Sequence, residues 1–298
     1  MKKTEERKDV EIFVSNWMGE FQETIKTKSI NTQKAILRDL TVFMAWWEKD
    51  FDEVFSPEKL TNWDLHQYRK NQVEIERVAA ATWNRRLTTL KRFVLWARSK
   101  GYISIDILDG LTSMPYQQTK IRWLSDKDFG NFMRQVQINV NVSKFSDKDR
   151  AYQTMAMVGL MAYAGLREGE VVNVRSEDIT INERSGKVRV LGKGKKERYV
   201  PLSNEARRLI SPWLEICSDR MPFKMDERSV QYRIKNIGKK AGLDLSPHQL
   251  RHTFCKRMAN NGVGLEKIRE LAGHENIRTT EIYIKAGWDD LSDAVEKV

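Results

Sequence analysis

Ile179-Thr-Ile-Asn-Glu-Arg-Ser-Gly186-Lys-Val-Arg-Val-Leu191-Gly192-Lys-Gly-Lys-Lys-Glu-Arg198-Tyr-Val-Pro-Leu202 is the stretch where the hydrophobic period of the chain changes. Short alternating runs stand on either side of two glycine-bearing turns, which is the pattern of strands joined by tight connections. We read a small three-stranded antiparallel sheet. Everything around it has helical spacing, so the sheet sits inside a helical domain. The expected fold class is therefore mainly α: a helical N-terminal domain followed by an α+β domain carrying this sheet.

Upstream, Met155-Ala-Met-Val-Gly-Leu-Met-Ala-Tyr-Ala-Gly165 is a helix of the second domain. Further back, Thr112-Ser-Met-Pro-Tyr-Gln-Gln-Thr-Lys-Ile121 contains Pro115 and has no apolar period, as a linker would. Ser125, followed by Asp126 and Asp128, resembles a helix N-terminus, with a capping hydroxyl and carboxylates at the positive end of the dipole. The expected organisation is a helical unit over 9–111, a linker over 112–121, and a second unit over 122–298.

In the first unit, Leu37, Leu40, Met44 and Trp47 recur at helical spacing, as do Trp83, Leu87, Leu90, Val94 and Ala97. The tryptophans Trp46, Trp47, Trp63, Trp83 and Trp96 read as core, because aromatics at this spacing usually fill interiors. The second of these helices carries Arg85, Arg86, Lys91 and Arg92 beside its apolar stripe and ends near Gly101, a C-terminal cap. A basic amphipathic helix can lie against DNA, and it can equally be a solvated face.

Lys and Arg together number 52 against 41 Asp and Glu, giving a formal charge of +11. A basic surface attracts nucleic acid, but charge alone does not decide it. The two cysteines, Cys217 and Cys255, form no CxxC pair, so neither a disulfide framework nor a zinc site is indicated. The N-terminus has no apolar stretch after its charges, and no run reaches the ~18 apolar residues of a membrane span. A cytoplasmic protein with no membrane association and no metal or cofactor is expected.

The chemistry lies downstream of the sheet, in His248-Gln-Leu-Arg251 and in Leu271-Ala-Gly-His274-Glu-Asn-Ile-Arg-Thr-Thr-Glu-Ile-Tyr283. Breaking and rejoining a phosphodiester needs a nucleophile, cations around the phosphate and a proton donor for the leaving oxygen. Arg167 and Arg251 have permanently charged, fork-shaped groups that can grip two oxygens of one phosphate and stabilise the charge of a pentavalent transition state. His248 and Arg251 are three apart and share a helix face. His252 is read as pointing elsewhere, in a structural role. In one straight helix, nine steps of about 1.5 Å would separate His274 and Tyr283 by roughly 13–14 Å. A bend near Asn276, with a second short helix starting at Thr279 or Thr280, would bring them together. Tyr283, with an ordinary pKa near 10, needs adjacent cations or a base before it can attack.

Four blocks, Ala164-Gly-Leu-Arg167-Glu-Gly-Glu170-Val, Gly192-Lys-Gly-Lys-Lys-Glu-Arg198, His248-Gln-Leu-Arg251-His-Thr-Phe and Leu271 to Tyr283, resemble the tyrosine recombinase family, in particular its short Xer-like and transposon or phage integrase members. The resemblance implies a site of Arg167, Lys193, His248, Arg251, His274 and Tyr283, with Glu170 orienting the cluster. Tyr283 would form a 3′-phosphotyrosyl bond, Lys193 in the hairpin would protonate the leaving oxygen, and Lys195 and Lys196 are the competing choices for that acid. His248 would hydrogen-bond the phosphate or take the tyrosine proton, and His274 would donate to a phosphate oxygen.

The implied reaction is site-specific strand exchange through a Holliday junction, for a mobile element or for resolving DNA dimers. The implied partners are double-stranded DNA with paired inverted core sites and a homotetramer on that DNA. The apolar stripe Leu291, Ala294, Val295 and Val298 would form a short helix that docks on its own domain or, as the family favours, in trans on a neighbouring subunit. No extra N-terminal DNA-binding domain of the larger phage integrases is recognised, which favours a simple core site. Ala272 and the Glu168-Gly169 pair depart from the family pattern without removing a reacting group. The rivals are a type IB topoisomerase-like enzyme, a noncatalytic basic DNA-binding regulator and a metal-dependent nuclease.

Overall fold

The serine and threonine caps are where the helices declare themselves. In the computed structural model, which describes residues 17–115, 121–192, 197–274 and 278–283, the contacts divide the chain into two compact units, 1–119 and 120–298.

In the first unit, α1 (17–25) precedes α2 (Ile30–Phe51), whose first turn is capped by Ser29 accepting from the Thr32 amide at 3.3 Å. The next helix, α3 (Asn62–Lys70), begins at a reciprocal Thr61–Asp64 box, which satisfies two orphan amides. It runs into a π-helical turn at Asn71–Ile75, and α4 (Ala80–Ser99) follows, with Gly101 beyond its end at φ +81°. The apolar faces of these helices meet in an aromatic core of Trp17, Phe21, Phe43, Trp47, Phe55, Trp83 and Phe93. Rings meet edge-on, as at Phe43 and Tyr68, 4.9 Å apart at 78°, the arrangement the ring quadrupoles favour. Trp47, Trp83 and Trp96 are buried as the spacing predicts, whereas Trp63 is 57% exposed.

Residues expected as linker are partly tied to this unit. The Asn84 side chain donates to the Met114 carbonyl at 2.9 Å and accepts from its amide at 2.8 Å, and the Trp83 indole donates to the Thr112 carbonyl. Loop composition alone could not show that Asn84 would satisfy these backbone groups.

In the second unit, α5 (Asp126–Val142) is capped by Ser125, whose hydroxyl accepts from the Asp128 amide at 3.1 Å. Its neighbour α6 (Lys148–Tyr163) is buried along most of its length and packs on α8 (Asn204–Ile216). Gly159 permits that approach, because a Cβ there would lie 3.0 Å from Leu209. Between them come the single turn α7 (Glu168–Val171) and an antiparallel sheet of β1 (Ile179–Ile181), β2 (Gly186–Leu191) and β3 (Glu197–Pro201), in order β1-β2-β3.

The sheet pairs Ile179 with Val188 and Val188 with Val200, so Val188, Val190 and Val200 face the core. Then follow α9 (Glu227–Lys240), α10 (Pro247–Asn260), α11 (Leu265–Ala272) and the turn α12 (Arg278–Glu281). Pro247 sits at the first position of α10, where its missing N–H costs nothing. The architecture is mainly α with one small antiparallel sheet. Among the described residues no helix is long and apolar enough to cross a membrane.

Candidate active site

The centre of the site is a buried carboxylate. Glu170, on α7 and only 9% exposed, lies among three guanidinium groups. Arg198, from β3, donates to both carboxylate oxygens, at 2.8 and 2.9 Å. Arg167 donates through Nη1 at 2.9 Å and through its backbone amide at 2.8 Å. Arg251 stands 3.9 Å away. Burial by itself would raise the Glu170 carboxyl, but the Arg198 hydrogen bonds and charge, followed by those of Arg167, outweigh it and hold the pKa below the ordinary carboxylate value.

The same arginines close the end of α11. Its last carbonyls have no intrahelical partners and form the negative pole of the helix dipole. Arg198 Nε donates to the Leu271 carbonyl at 3.0 Å, Arg167 Nη2 to Gly273 at 2.9 Å, and Arg251 Nη2 to Ala272. Arg251 Nη1 also donates to the Gly165 carbonyl at 2.7 Å. Two glycines make this possible. Gly165 at φ +67° and Gly273 at φ +64° are both left-handed, the conformation that favours glycine. Arg251 is 2% exposed, and burial followed by the Arg167 charge pushes its pKa down to about 10.

Gly273 ends α11, so His274 leaves it in a new direction, and a further helical turn, α12, is described over Arg278–Glu281. A continuous helix does not form between His274 and Tyr283. Their rings stack instead, with centroids 6.3 Å apart at 15°, and His274 Nδ1 pairs with Thr280 Oγ1 at 2.9 Å. The expected bend near Asn276 lies outside the described residues.

Tyr283 is 1% exposed and packs with Phe254, Cys255, Ile268 and Ala272. Its hydroxyl pairs with His252 Nδ1 at 2.5 Å, which corrects the reading of His252 as pointing elsewhere. His248 and His252 are four apart, also neighbours on a helix, and their rings meet edge-on with centroids 4.6 Å apart. That spacing was the available signal. Burial, then the His248 and Arg251 charges, lower the His252 pKa to about 4, so its ring is neutral and Nδ1 can accept from the phenol. Burial, then Arg251 and Arg167, lower His274 to about 3, and the same three causes lower His248. Burial raises the Tyr283 hydroxyl, with Cys255 the next contributor, and burial pushes the neighbouring Cys255 thiol up to about 11. Lys256, from α10, donates to the Tyr283 carbonyl at 3.4 Å and lies over the Trp123 ring.

Arg167, Glu170, Arg251, His274 and Tyr283 thus converge, with His248 alongside His252. Lys193, with Lys195 and Lys196, lies outside the described residues. Arg198, His252 and Cys255 join the site although sequence reading did not assign them to it. In the first unit, Arg85 pairs with buried Asp39 and Arg86 donates to buried Gln72, so both are engaged internally. Lys91 is exposed and Arg92 half-buried. Among the described residues no group of three or more His, Cys, Asp or Glu is placed to hold a metal ion.

Comparison with known proteins gives a consistent picture. The pattern of the phage integrase family matches residues 131–287. Tyrosine recombinase XerC of Vibrio parahaemolyticus is 32% identical over 236 residues, covering 74% of this chain and 73% of that protein. Tyrosine recombinase XerA of Pyrococcus horikoshii is 37% identical over 153 residues, 47% of this chain and 53% of that one. Among solved structures, the XerH site-specific recombinase bound to a palindromic difH substrate has a TM-score of 0.69 at 16% identity, covering 89% of this chain and 78% of that chain. The Tn1549 transposon integrase in complex with a circular intermediate DNA scores 0.67 at 18% identity, covering 93% and 97%. At such identities these two structures show the fold.

Proposed function

The chain belongs to the phage integrase family and is a site-specific tyrosine recombinase, and from that premise we propose that it cleaves and rejoins DNA through a 3′-phosphotyrosyl intermediate on Tyr283. The observation that carries this is the convergence of Arg167, Arg251 and His274 at the end of α11 with Tyr283 stacked on His274. Three guanidinium groups against one carboxylate leave a net positive site, which suits a phosphodiester whose charge grows in the transition state.

In the proposed step, Tyr283 Oη attacks phosphorus, the bond to the 5′ oxygen breaks, and the free strand leaves as a 5′-hydroxyl. The phenol proton departs toward a neutral imidazole. His252 holds the hydrogen bond to it, with His248 against its ring. Lys193 is the proposed acid for the leaving oxygen. Arg167 and Arg251 bear the phosphate charge, and His274 donates to one of its oxygens. The ester conserves the bond energy, so rejoining is the reverse attack.

Residues 122–298 act in this reading as the catalytic domain, 9–111 as a core-DNA-binding domain through Lys91 and Arg92, with Arg85 and Arg86 reaching DNA only through the guanidinium nitrogens not held by Asp39 and Gln72, and 112–121 as the linker. Four protomers on two duplexes with paired inverted core sites would exchange strands through a Holliday junction, with the C-terminal stripe docking in trans. The biological role is in a mobile element or in resolving DNA dimers, in the cytoplasm. Support for the DNA partner comes from the solved structures this chain resembles, the XerH recombinase bound to its difH substrate and the Tn1549 integrase in complex with a circular intermediate DNA.

The test is a duplex nicked beside the scissile phosphate, incubated in EDTA with wild type and with Tyr283→Phe. A covalent adduct with wild type alone is expected. No adduct on a specifically bound site would sink the reading and favour a noncatalytic regulator, whereas site-independent plasmid relaxation would favour the topoisomerase alternative.

A further inference from the structure

Among the guanidinium groups around Glu170, Arg198 alone spans the carboxylate with both terminal nitrogens while its Nε holds a backbone carbonyl of α11, that of Leu271. Its side chain is only 12% exposed, against 38% for Arg167. All three of its guanidinium nitrogens are engaged by protein acceptors. Gly273, the residue that sets the direction of His274, lies against the same side chain: a Cβ there would come within 2.7 Å of Arg198 Nη1. Arg198 thus joins β3 to α7 and to the end of α11, elements that carry Glu170 and His274.

We propose that Arg198 is a positioning residue for strand cleavage: it fixes the Glu170 carboxylate, and through it Arg167, while setting the end of α11 from which His274 projects. The inference rests on the reading of this site as the one that cleaves DNA. Lysine cannot replace it in this role. A single ammonium keeps the charge but cannot span two carboxylate oxygens and a carbonyl at once. Glu170, less tightly held, would then turn toward Arg167 and Arg251 and compete with the phosphate for them.

The test compares wild type, Arg198→Lys, Arg198→Ala, Glu170→Gln and the Arg198→Lys/Glu170→Gln double variant. Three quantities are read: DNA affinity, thermal midpoint, and the first-order rate of Tyr283 adduct formation at saturating nicked duplex. The rate of Arg198→Lys should fall by between about tenfold and a hundredfold, the cost of a small misplacement of reacting groups, with affinity and midpoint near wild type. The double variant should be little slower than the worse single one, because both changes break one contact. Methylguanidinium should restore part of the rate of Arg198→Ala, which relief of a general folding defect would not do.

A wild-type rate in Arg198→Lys overturns the inference, as does a loss accounted for entirely by weaker DNA binding or by multiplicative effects in the double variant. Should Arg198→Ala fail to fold, Arg198→Lys and the double variant decide the matter. Absence of any wild-type adduct would instead refute the cleavage reading itself, so the two failures are distinguishable.

Discussion

Replacing Gly165 by alanine loads two costs onto one position. The backbone there is left-handed at φ +67°, which costs an L-residue about 1–2 kcal/mol. The new Cβ would lie 2.4 and 2.6 Å from two ring atoms of Phe254, a buried aromatic that cannot swing aside as a flexible chain end would. Overpacking of that kind costs about 1–3 kcal/mol, so the total is about 2–5 kcal/mol. For a unit of this size, ~2–4 °C per kcal/mol converts this to a fall on the order of 10 °C in the thermal midpoint.

Gly262→Ala is the control. Its φ is +75° and nothing lies within 4 Å of the added atom, so only the backbone cost of about 1–2 kcal/mol applies. Scanning calorimetry of the full chain reads both. Because the Gly165 carbonyl accepts from Arg251, Gly165→Ala should also slow adduct formation, while Gly262→Ala should not. Equal midpoints for the two variants would show that the Phe254 contact contributes nothing, and a wild-type midpoint for Gly165→Ala would refute both parts of the reasoning.

Three further outcomes are expected. His252 and His274 have folded pKa values lowered to about 4 and about 3, and Glu170 is lowered too. Depressed groups contribute stability that is present above their unfolded pKa and is lost as pH falls, so the midpoint should drop as pH goes from about 6.5 toward 4. A flat midpoint over that window would count against the buried, neutral imidazoles. Arg85→Ala leaves the carboxylate of Asp39, which is 3% exposed, with the Thr89 hydroxyl as a remaining donor, and should cost about 1–3 kcal/mol of stability; a DNA-affinity loss without destabilisation would show that its role lies at the DNA. Lys91→Ala should leave the midpoint unchanged and, under the DNA-binding reading, reduce the salt slope of DNA affinity by about 1, measured by titration at several salt concentrations.

The features that were legible in the sequence are those set by neighbours along the chain. The three strands follow from alternation and two glycine turns, and α5 from a serine three residues before an aspartate. The separation of His274 from Tyr283 was foreseeable because one helix would hold them too far apart. Arg198 and His252 were not legible in the same way. Arg198 meets Glu170 across 28 residues, and His252 meets Tyr283 across 31, and no local pattern distinguishes one arginine after a basic turn from a solvent-facing one. The docking of residues 112–114 on α4 was hidden for the same reason, since Asn84 looks like any polar residue on a helix.

The hydrogen bonds at the end of α11 run from arginine side chains to the main chain of residues 165, 271, 272 and 273. A carbonyl oxygen is common to every amino acid, so what these bonds require of their acceptors is a backbone path and not a side chain. The charges and the two left-handed glycines cannot drift, but the identities at 271 and 272 are free within the limits of packing. Ala272, which looked like a departure from the family pattern, stands where the chemistry reads only an oxygen. Substitutions at 271 and 272 that preserve the backbone path and the packing should therefore leave the three arginine contacts intact.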